Sequence, residues 1–326
     1  MSEERDLLIQ TVRDLVGKHA GPEAVRAAMD SESGYDEKLW QLLCEQVGVA
    51  ALVVPEELGG AGGELGDAAA VLTELGRNLV PTPLLGTILA ELALLSAENP
   101  DAATLELLAA GEATGAAVFD AGYVINGSHL DQAADVVVAV QDGQLVRLTE
   151  FTTHPATTMD PTRRLARLDG GQPAVIGPDP GLADTAALLL AAEAVGAATR
   201  ALELTVAYSK ERVQFGRQIG SFQALKHRMA DLYVKVQTAG AVVDEALAEP
   251  SPAAAALAFV IASEAFTDVA AEAIQIHGGI AITAEHDIQL YFKRAHGTSQ
   301  LLGPVREHLR KLESEVLSMD AELPVL

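Results

Sequence analysis

The stretch Arg212-Val213-Gln214-Phe215-Gly216 interrupts the helical pattern of the C-terminal half, and Gln223 follows at the start of the next helical segment. Arg212 offers a planar fork of donors that matches a pyrophosphate. Phe215 offers an apolar face to an adenine or a flavin, and Gly216 lets the chain turn. The amide of Gln223 can donate to a ribose or a phosphate. This set predicts a clamp for a flat, anionic dinucleotide that needs no glycine-rich phosphate loop.

A second interruption follows at Gln275-Ile276-His277-Gly278-Gly279. Paired glycines destabilise a helix, so the pattern predicts that another group approaches the backbone closely at Gly278 and Gly279. His277 is interpreted as a packing residue rather than as a ligand. A third piece, Ala295-His296-Gly297-Thr298-Ser299-Gln300, places an imidazole beside a hydroxyl and an amide.

Composition excludes several classes of partner. The formal net charge of −24 and the pI near 4.6 argue against nucleic acid, since phosphate contacts require clustered Lys and Arg. No uninterrupted apolar run reaches the roughly 20 residues of a membrane span. The single Cys44 excludes an internal disulfide and fits a reducing compartment. The charged N-terminus opens directly into an amphipathic pattern, which is not typical of a secretory signal, and we expect a cytoplasmic protein.

The periodicity of apolar residues changes twice along the chain. Helical spacing covers residues 1–110, is lost over 112–180 and returns from residue 183. Residues 135–140 and 145–148 flank Asp142-Gly143 and predict a β-hairpin, while Asn126-Gly127 is interpreted as a plain turn. The predicted domains are an N-terminal helical domain at 1–111, a shortened middle β domain at 112–180 and a C-terminal helical bundle at 181–326.

With these motifs, the chain resembles the acyl-CoA dehydrogenase family, flavoenzymes that desaturate acyl-CoA thioesters between the α and β carbons. The resemblance is specific for residues 183–310, weaker for 1–110 and poor for 112–180. It implies a mainly α fold with a β insert: an N-terminal helical domain, a shortened middle β-barrel domain and a C-terminal four-helix bundle. The alternative for the first motif is an exposed arginine and a core phenylalanine at a helix corner. Ser221-Phe222-Gln223, at the family's spacing, argues against it.

The resemblance implies FAD as the cofactor and divides the matching residues into two groups. Contacts to the flavin of a neighbouring subunit are implied for Arg212, Phe215, Gln223, Gln275, Gly278 and Gly279. Contacts to the flavin of the same subunit are implied for Thr298 and Gln300. Family members also cover their own flavin with a Thr-Glu-Pro loop and further barrel strands, and residues 112–180 lack these. The first group is therefore intact and the second is depleted.

An acyl-CoA thioester is also an anion, so a substrate site requires local basic residues. The candidates are Arg163, Arg164, Arg212, Arg217, Lys226, His227 and Arg228. Asp184 matches an Asp that the family directs toward coenzyme A, but the Arg that often follows three residues later is Ala187 here. The resemblance therefore implies weakened substrate binding by this subunit.

The catalytic base is the position at which the chain departs from the family's pattern. His296 occupies the place of the usual Glu before Gly-Thr, and a neutral imidazole with a reference pKa of about 6.5 can remove the α proton. A second position that some members use for the base falls on Ala186. Glu193 lies two helical turns further and is interpreted as an interior or interface carboxylate.

Three functions are compatible with this pattern. The first is a short, degenerate subunit of a heteromeric acyl-CoA dehydrogenase, which completes the flavin site of a longer homologous partner. Such subunits are known among bacterial enzymes that act on sterol side-chain thioesters, and the chain resembles them. The second is a self-sufficient homomer that uses His296 or an unrecognised carboxylate. The third is a helical scaffold without cofactor, against which the intact Arg212, Phe215 and Gln223 argue.

Overall fold

Helices, strands and helices follow one another in the order that the sequence predicts. The structure is a computed structural model that describes residues 3–119, 122–125 and 135–320. The N-terminal helices are α1 (Glu3–His19), α2 (Pro22–Asp30), α3 (Glu37–Val47), α4 (Leu65–Arg77), α5 (Leu84–Leu95) and α6 (Ala102–Ala109). The middle strands are β1 (Gly115–Val118), β2 (Tyr123–Ile125), β3 (Val136–Gln141), β4 (Gln144–Ala156) and β5 (Leu165–Pro178). The C-terminal elements are α7 (Leu182–Glu211), β6 (Val213–Gln214), β7 (Arg217–Gln218), α8 (Gln223–Ala248), α9 (Pro252–His277), α10 (Ile288–Thr298) and α11 (Val305–Asp320).

The middle strands close into a small barrel in the order β1-β2-β5-β4-β3. The predicted hairpin between β3 and β4 is confirmed. Its turn residues Asp142 and Gly143 have φ angles of 50° and 73°, as a type I′ turn requires. The barrel has a core of its own, formed by Ala116, Val118, Val124, Val137, Ala139, Val146, Leu148 and Phe151. The turn predicted at Asn126-Gly127 lies outside the described residues.

The long helix α7 lies at the centre of the molecule and packs against α4, α8, α9 and α10. By length and composition α7 and α9 could each cross a membrane, but most of each helix is buried inside the fold. Both are therefore core helices. The expected fold, mainly helical with a shortened β barrel between two helical parts, is confirmed.

The backbones of α4 and α7 approach closely through two glycines. A Cβ atom on Gly196 would lie 2.0 Å from the carbonyl oxygen of Thr73, and one on Gly76 would lie 2.3 Å from the carbonyl oxygen of Glu193. The hydroxyl of Thr73 donates to the carbonyl oxygen of Ala192 at 3.1 Å. Close backbone packing therefore joins the N-terminal helices to the C-terminal ones.

A buried ion cluster joins the segment before β5 to the C-terminal helices. Glu193 on α7 accepts hydrogen bonds from Arg163 and from Arg294 on α10, with 2.8 Å between Arg294 Nη1 and Glu193 Oε1. Asp160 Oδ2 lies 2.9 Å from Arg294 Nε, and Thr162 accepts from the same guanidinium. All five residues are buried. Two cations and two anions make the cluster electrically neutral.

Burial by itself would raise the pKa of Glu193, but Arg163 and Arg294 outweigh it and hold the pKa below its usual value. The carboxylate is therefore ionised and fully engaged. Each charge of the cluster depends on the others, because an ion left unpaired in the interior carries a large desolvation penalty.

Replacing Gly196 tests the α4–α7 contact. Gly196→Ala should lower the free energy of unfolding by about 1–3 kcal/mol, because an added Cβ collides with backbone. Gly240→Ala on α8 is the control, since its Cβ would meet only Val195 Cγ1 at 3.8 Å. That change should stabilise the chain by about 1 kcal/mol through helix propensity. Urea unfolding of both variants measures the difference, and a neutral Gly196→Ala would contradict the close contact.

Replacing Glu193 tests the ion cluster. Glu193→Gln leaves a net positive charge in the interior and should lower the free energy of unfolding by about 3–5 kcal/mol. Glu203→Gln is the control, because Glu203 pairs with Arg77 and Arg200 at an exposed position. That change should cost roughly 0–1 kcal/mol. Equal losses in the two variants would show that the cluster gains nothing from its burial.

Candidate functional site

The first motif forms a tight β-hairpin between α7 and α8. α7 ends at Glu211, and Arg212 follows as its cap, with its N–H donating to the carbonyl oxygen of Tyr208 at 2.8 Å. Strands β6 and β7 pair directly. The turn between them consists of Phe215 and Gly216, with φ angles of 52° and 74°. This is a second type I′ turn, where the sequence predicted only a break in the helix.

Phe215 is held in an unfavourable conformation at the tip of this hairpin. A left-handed φ is unusual for a bulky side chain and costs about 1–3 kcal/mol. The ring is 92% exposed, and its main aromatic neighbour is Phe222, at 6.2 Å between ring centroids. Arg217 in turn covers Phe222, with its guanidinium carbon 4.0 Å from the ring centroid. Among the described residues only the edge of Phe222 offsets this exposure and strain, so an external group is expected to contact the ring.

The two polar side chains of the first motif also face outward. Arg212 is exposed, and no ion pair is found for it among the residues that the structure describes. Gln223 is exposed at the first turn of α8, where its amide nitrogen lies 2.7 Å from Nε2 of His227. A cation and an amide are therefore presented beside an exposed aromatic ring.

The second motif ends α9 in a turn that is open to solvent. Gln275, Gly278 and Gly279 are exposed, and Gly278 has a φ of 66° that favours glycine. Gly279 has no such φ, and a Cβ there would meet nothing within 4 Å. Neither its conformation nor its packing against the part of the chain that the structure describes requires glycine at 279. A group from outside the chain would account for it.

Tyr208 brings the two motifs together. It lies one helical turn before Arg212, and its hydroxyl donates to the carbonyl oxygen of His277 at 3.3 Å. The two rings stack with centroids 4.3 Å apart. His277 is 5% exposed, and burial lowers its pKa. It packs as the sequence predicts, and it directly precedes Gly278.

The residues predicted for the subunit's own flavin and chemistry lie in other surroundings. Thr298 is 1% exposed, and its hydroxyl accepts a hydrogen bond from Arg163 at 3.1 Å. His296 is exposed in the last turn of α10 and packs edge-on against Phe292. Gln300 is exposed and donates to Ser299. Their roles in flavin binding and catalysis stay predictions.

Asp184 lies in the first turn of α7 and borders a cavity of about 150 Å³ with Gly181 and Leu188. Its carboxylate oxygen Oδ1 accepts from Lys311 Nζ at 3.3 Å. Its predicted contact with substrate stays a prediction.

The structure corrects part of the set of basic residues proposed to bind an anion. Arg163 is consumed by the ion cluster, and Arg164 donates to the backbone carbonyls of Met29, Ser31 and Glu32. Arg228 is paired with Glu272 at 3.0 Å. These three guanidinium groups already have anionic or carbonyl partners, so they were wrongly included. Lys226 remains exposed, with no acidic partner among the described residues.

Sequence reasoning missed the ion cluster and the role of Tyr208. Asp160, Arg163, Glu193 and Arg294 are spread over 135 positions of the chain, so no local motif contains them. The signal that was present is Glu193, a single charged residue inside the apolar stretch 185–199, since a buried charge requires a partner.

Comparison with solved structures shows the same architecture in two-component enzymes. One is the Tcur3481–Tcur3483 steroid ACAD, a variant, with a TM-score of 0.85 and 27% identity over 98% of this chain and 99% of that one. Another is the ChsE4–ChsE5 complex from Mycobacterium tuberculosis, with a TM-score of 0.83 and 25% identity over 100% and 99%.

Sequence comparison gives close full-length relatives. Acyl-CoA dehydrogenase IpdE2 of Mycobacterium tuberculosis is 66% identical over 96% of this chain and 98% of its own length. The protein of the same name from Mycolicibacterium smegmatis is 65% identical over 97% and 100%. The family models "Acyl-CoA dehydrogenase, N-terminal domain" and "Acyl-CoA dehydrogenase, C-terminal domain" match residues 2–112 and 183–313. The chain therefore belongs to the acyl-CoA dehydrogenase family of oxidoreductases, which act on CH–CH bonds.

Proposed function

We propose that this chain is the short subunit of a heteromeric, FAD-dependent acyl-CoA dehydrogenase and completes the flavin site of a longer homologous subunit. The observation that carries the proposal is that the two groups of matched side chains differ in exposure and in hydrogen bonding. The side chains matched to a neighbour's flavin, such as Arg212 and Phe215, are exposed and uncommitted. Of the two side chains matched to the subunit's own flavin, Thr298 is buried and bonded to Arg163, whereas Gln300 is exposed.

The exposed residues fit the ADP half of FAD. Arg212 can pair with a pyrophosphate through two parallel hydrogen bonds. Phe215 offers an uncovered aromatic face, and the amides of Gln223 and Gln275 supply neutral donors. At Gly279 a Cβ would meet open space, so a ligand can approach the backbone there. When bound in such a site, FAD accepts the hydride that leaves the β carbon of the acyl thioester.

The region around the ion cluster and His296 is poorly suited to hold a flavin of this subunit's own or to supply a base. The charges of Arg163 and Arg294 are neutralised by Glu193 and Asp160 at the junction of the barrel and α7. Glu193 binds two guanidinium groups and its pKa is held low, which suppresses its strength as a base. His296 is exposed, whereas α-proton abstraction is favoured in a pocket that excludes water. The base is therefore proposed to come from the longer subunit.

A second subunit is also supported by the surface beside the hairpin. An apolar groove of about 510 Å³ runs between α7 and α8, lined in part by Leu202, Val206, Met229 and Val236. Tyr233 also lines this groove and is exposed. An apolar groove with an exposed aromatic side chain at its edge is typical of an interface. The solved relatives pair two differently named chains, and we extend that arrangement to a heterotetramer with two subunits of each kind.

The substrate is proposed to be an acyl-CoA thioester with a steroid-derived acyl group. One of the solved relatives is described as a steroid ACAD, and the likeness to it covers nearly the whole chain. The cytoplasmic location inferred from the sequence stays a prediction.

The decisive experiment compares the chain alone with the chain co-expressed with a longer acyl-CoA dehydrogenase subunit of the same organism. We expect the purified chain to lack the visible absorbance of oxidised flavin. The co-purified complex should be yellow, and an acyl-CoA substrate should bleach it. A stoichiometrically yellow homomer would overturn the proposal.

Phe215→Asn separates folding from flavin binding. Asn is favoured at the first turn position of a type I′ hairpin, so the isolated chain should gain about 1 kcal/mol of stability. The complex should release FAD about tenfold faster, because the aromatic contact is lost. Thermal unfolding and flavin fluorescence measure the two effects.

Asp142→Asn is the matched control, since Asp142 holds the same position in the other type I′ turn. It should change neither quantity appreciably. A stabilised Phe215→Asn chain whose complex retains FAD normally would show that the ring does not contact the flavin.

A further inference from the structure

The first and second motifs belong to different helices, and Tyr208 is the side chain that connects their ends. Its hydroxyl donates to the carbonyl oxygen of His277, the last residue of α9. That carbonyl is one of the last four of the helix, which have no partner within it. The backbone carbonyl of Tyr208 accepts the N–H of Arg212. Tyr208 thus contacts the backbone of both the first and the second motif.

The ring of His277 is also fixed from several sides. Its Nδ1 lies 2.8 Å from the carbonyl oxygen of Ala273, so this nitrogen carries a proton. Tyr208 stacks on one face with an interplanar angle of 20°. His286 meets the ring edge-on at 4.9 Å between centroids. The residue before Gly278 therefore has one well-defined orientation, which is set largely by Tyr208.

We infer that Tyr208 is a positioning residue, which fixes the spacing between Arg212 and the Gly278-Gly279 turn so that both engage one dinucleotide. The inference rests on the proposed function. A dinucleotide that bridges the ends of α7 and α9 gains from both contacts only if their separation is set before binding. The hydroxyl bond to His277 and the stacked rings set it. Tyr208 itself is half-buried, so it acts through its neighbours.

Tyr208→Phe in the co-expressed complex tests this inference, because it removes the hydroxyl bond and keeps the ring. One net hydrogen bond corresponds to about a threefold to tenfold change in an equilibrium constant. We expect FAD to dissociate faster by this factor, measured as the rise of free flavin fluorescence on dilution. The thermal midpoint of the isolated chain should move little. Tyr123→Phe on the barrel strand β2, where the side chain is also exposed, is the matched control and should leave FAD release unchanged.

A double-mutant cycle separates positioning from general stability. In an Arg212→Ala background the dinucleotide has lost its contact at the end of α7, so the spacing to the second motif no longer affects binding. Tyr208→Phe should then raise the rate of FAD release by less than twofold. A merely structural role would give the same factor in both backgrounds. Equal factors would overturn the inference, as would wild-type FAD release by the Tyr208→Phe complex.

Tyr208→Leu provides a second variant that also removes the stacked ring. It should release FAD faster than Tyr208→Phe, and a rate equal to wild type would again overturn the inference. The proposed function fails separately, because then the unmodified complex holds no FAD. If the unmodified complex is yellow and the Tyr208 variants retain FAD normally, the positioning role alone is wrong.

Discussion

The carboxylate of Glu193 is the point on which the arrangement of this molecule depends. It lies on the central helix α7 and is bound by Arg163, from the segment before β5, and by Arg294 of α10. One helical turn further, Gly196 lets α4 approach the same helix. A buried carboxylate with two guanidinium partners is satisfied only when all three segments are in place. The cluster therefore selects one arrangement of barrel and helices, and it uses polar groups that could otherwise serve a ligand.

Because the polar groups of the cluster are already bonded to one another, a ligand is expected to bind elsewhere on the chain. Thr298 is buried and bonded to Arg163. The region around the ion cluster therefore offers few hydrogen-bond donors that a ligand could use. The surface formed by the hairpin between α7 and α8 and by the turn after α9 is different, because its residues are exposed. There Phe215 is exposed in a strained conformation, and Gly279 faces open space. Strain and exposure that the chain does not relieve by itself are typical of a binding surface.

The sequence predicts the helical periodicity, the Asp142-Gly143 hairpin and the order of the three parts well, because each depends on neighbours close in the chain. It fails at Phe215-Gly216, since a phenylalanine in a type I′ turn contradicts the local preference for Asn or Gly. It also misassigns Arg163 as a free cation. Its partners Glu193 and Thr298 are 30 and 135 positions away, and long-range ion pairs leave no periodic signal. The motif residues stay predictions, because they were chosen for their types and for the family resemblance rather than for their contacts.

Charge distribution gives a further reason why the surface around the hairpin between α7 and α8 can receive an anion although the chain is strongly acidic. Residues 210–235 contain six of the 22 Lys and Arg but two of the 46 Asp and Glu. Within that segment, Arg228 and Lys235 are paired with Glu272 and Asp268. Positive charge without an acidic partner among the described residues therefore remains in and around the hairpin, at Lys210, Arg212, Arg217 and Lys226. A dinucleotide is repelled by most of the surface and attracted here, since screening limits each field to about 8 Å at physiological salt.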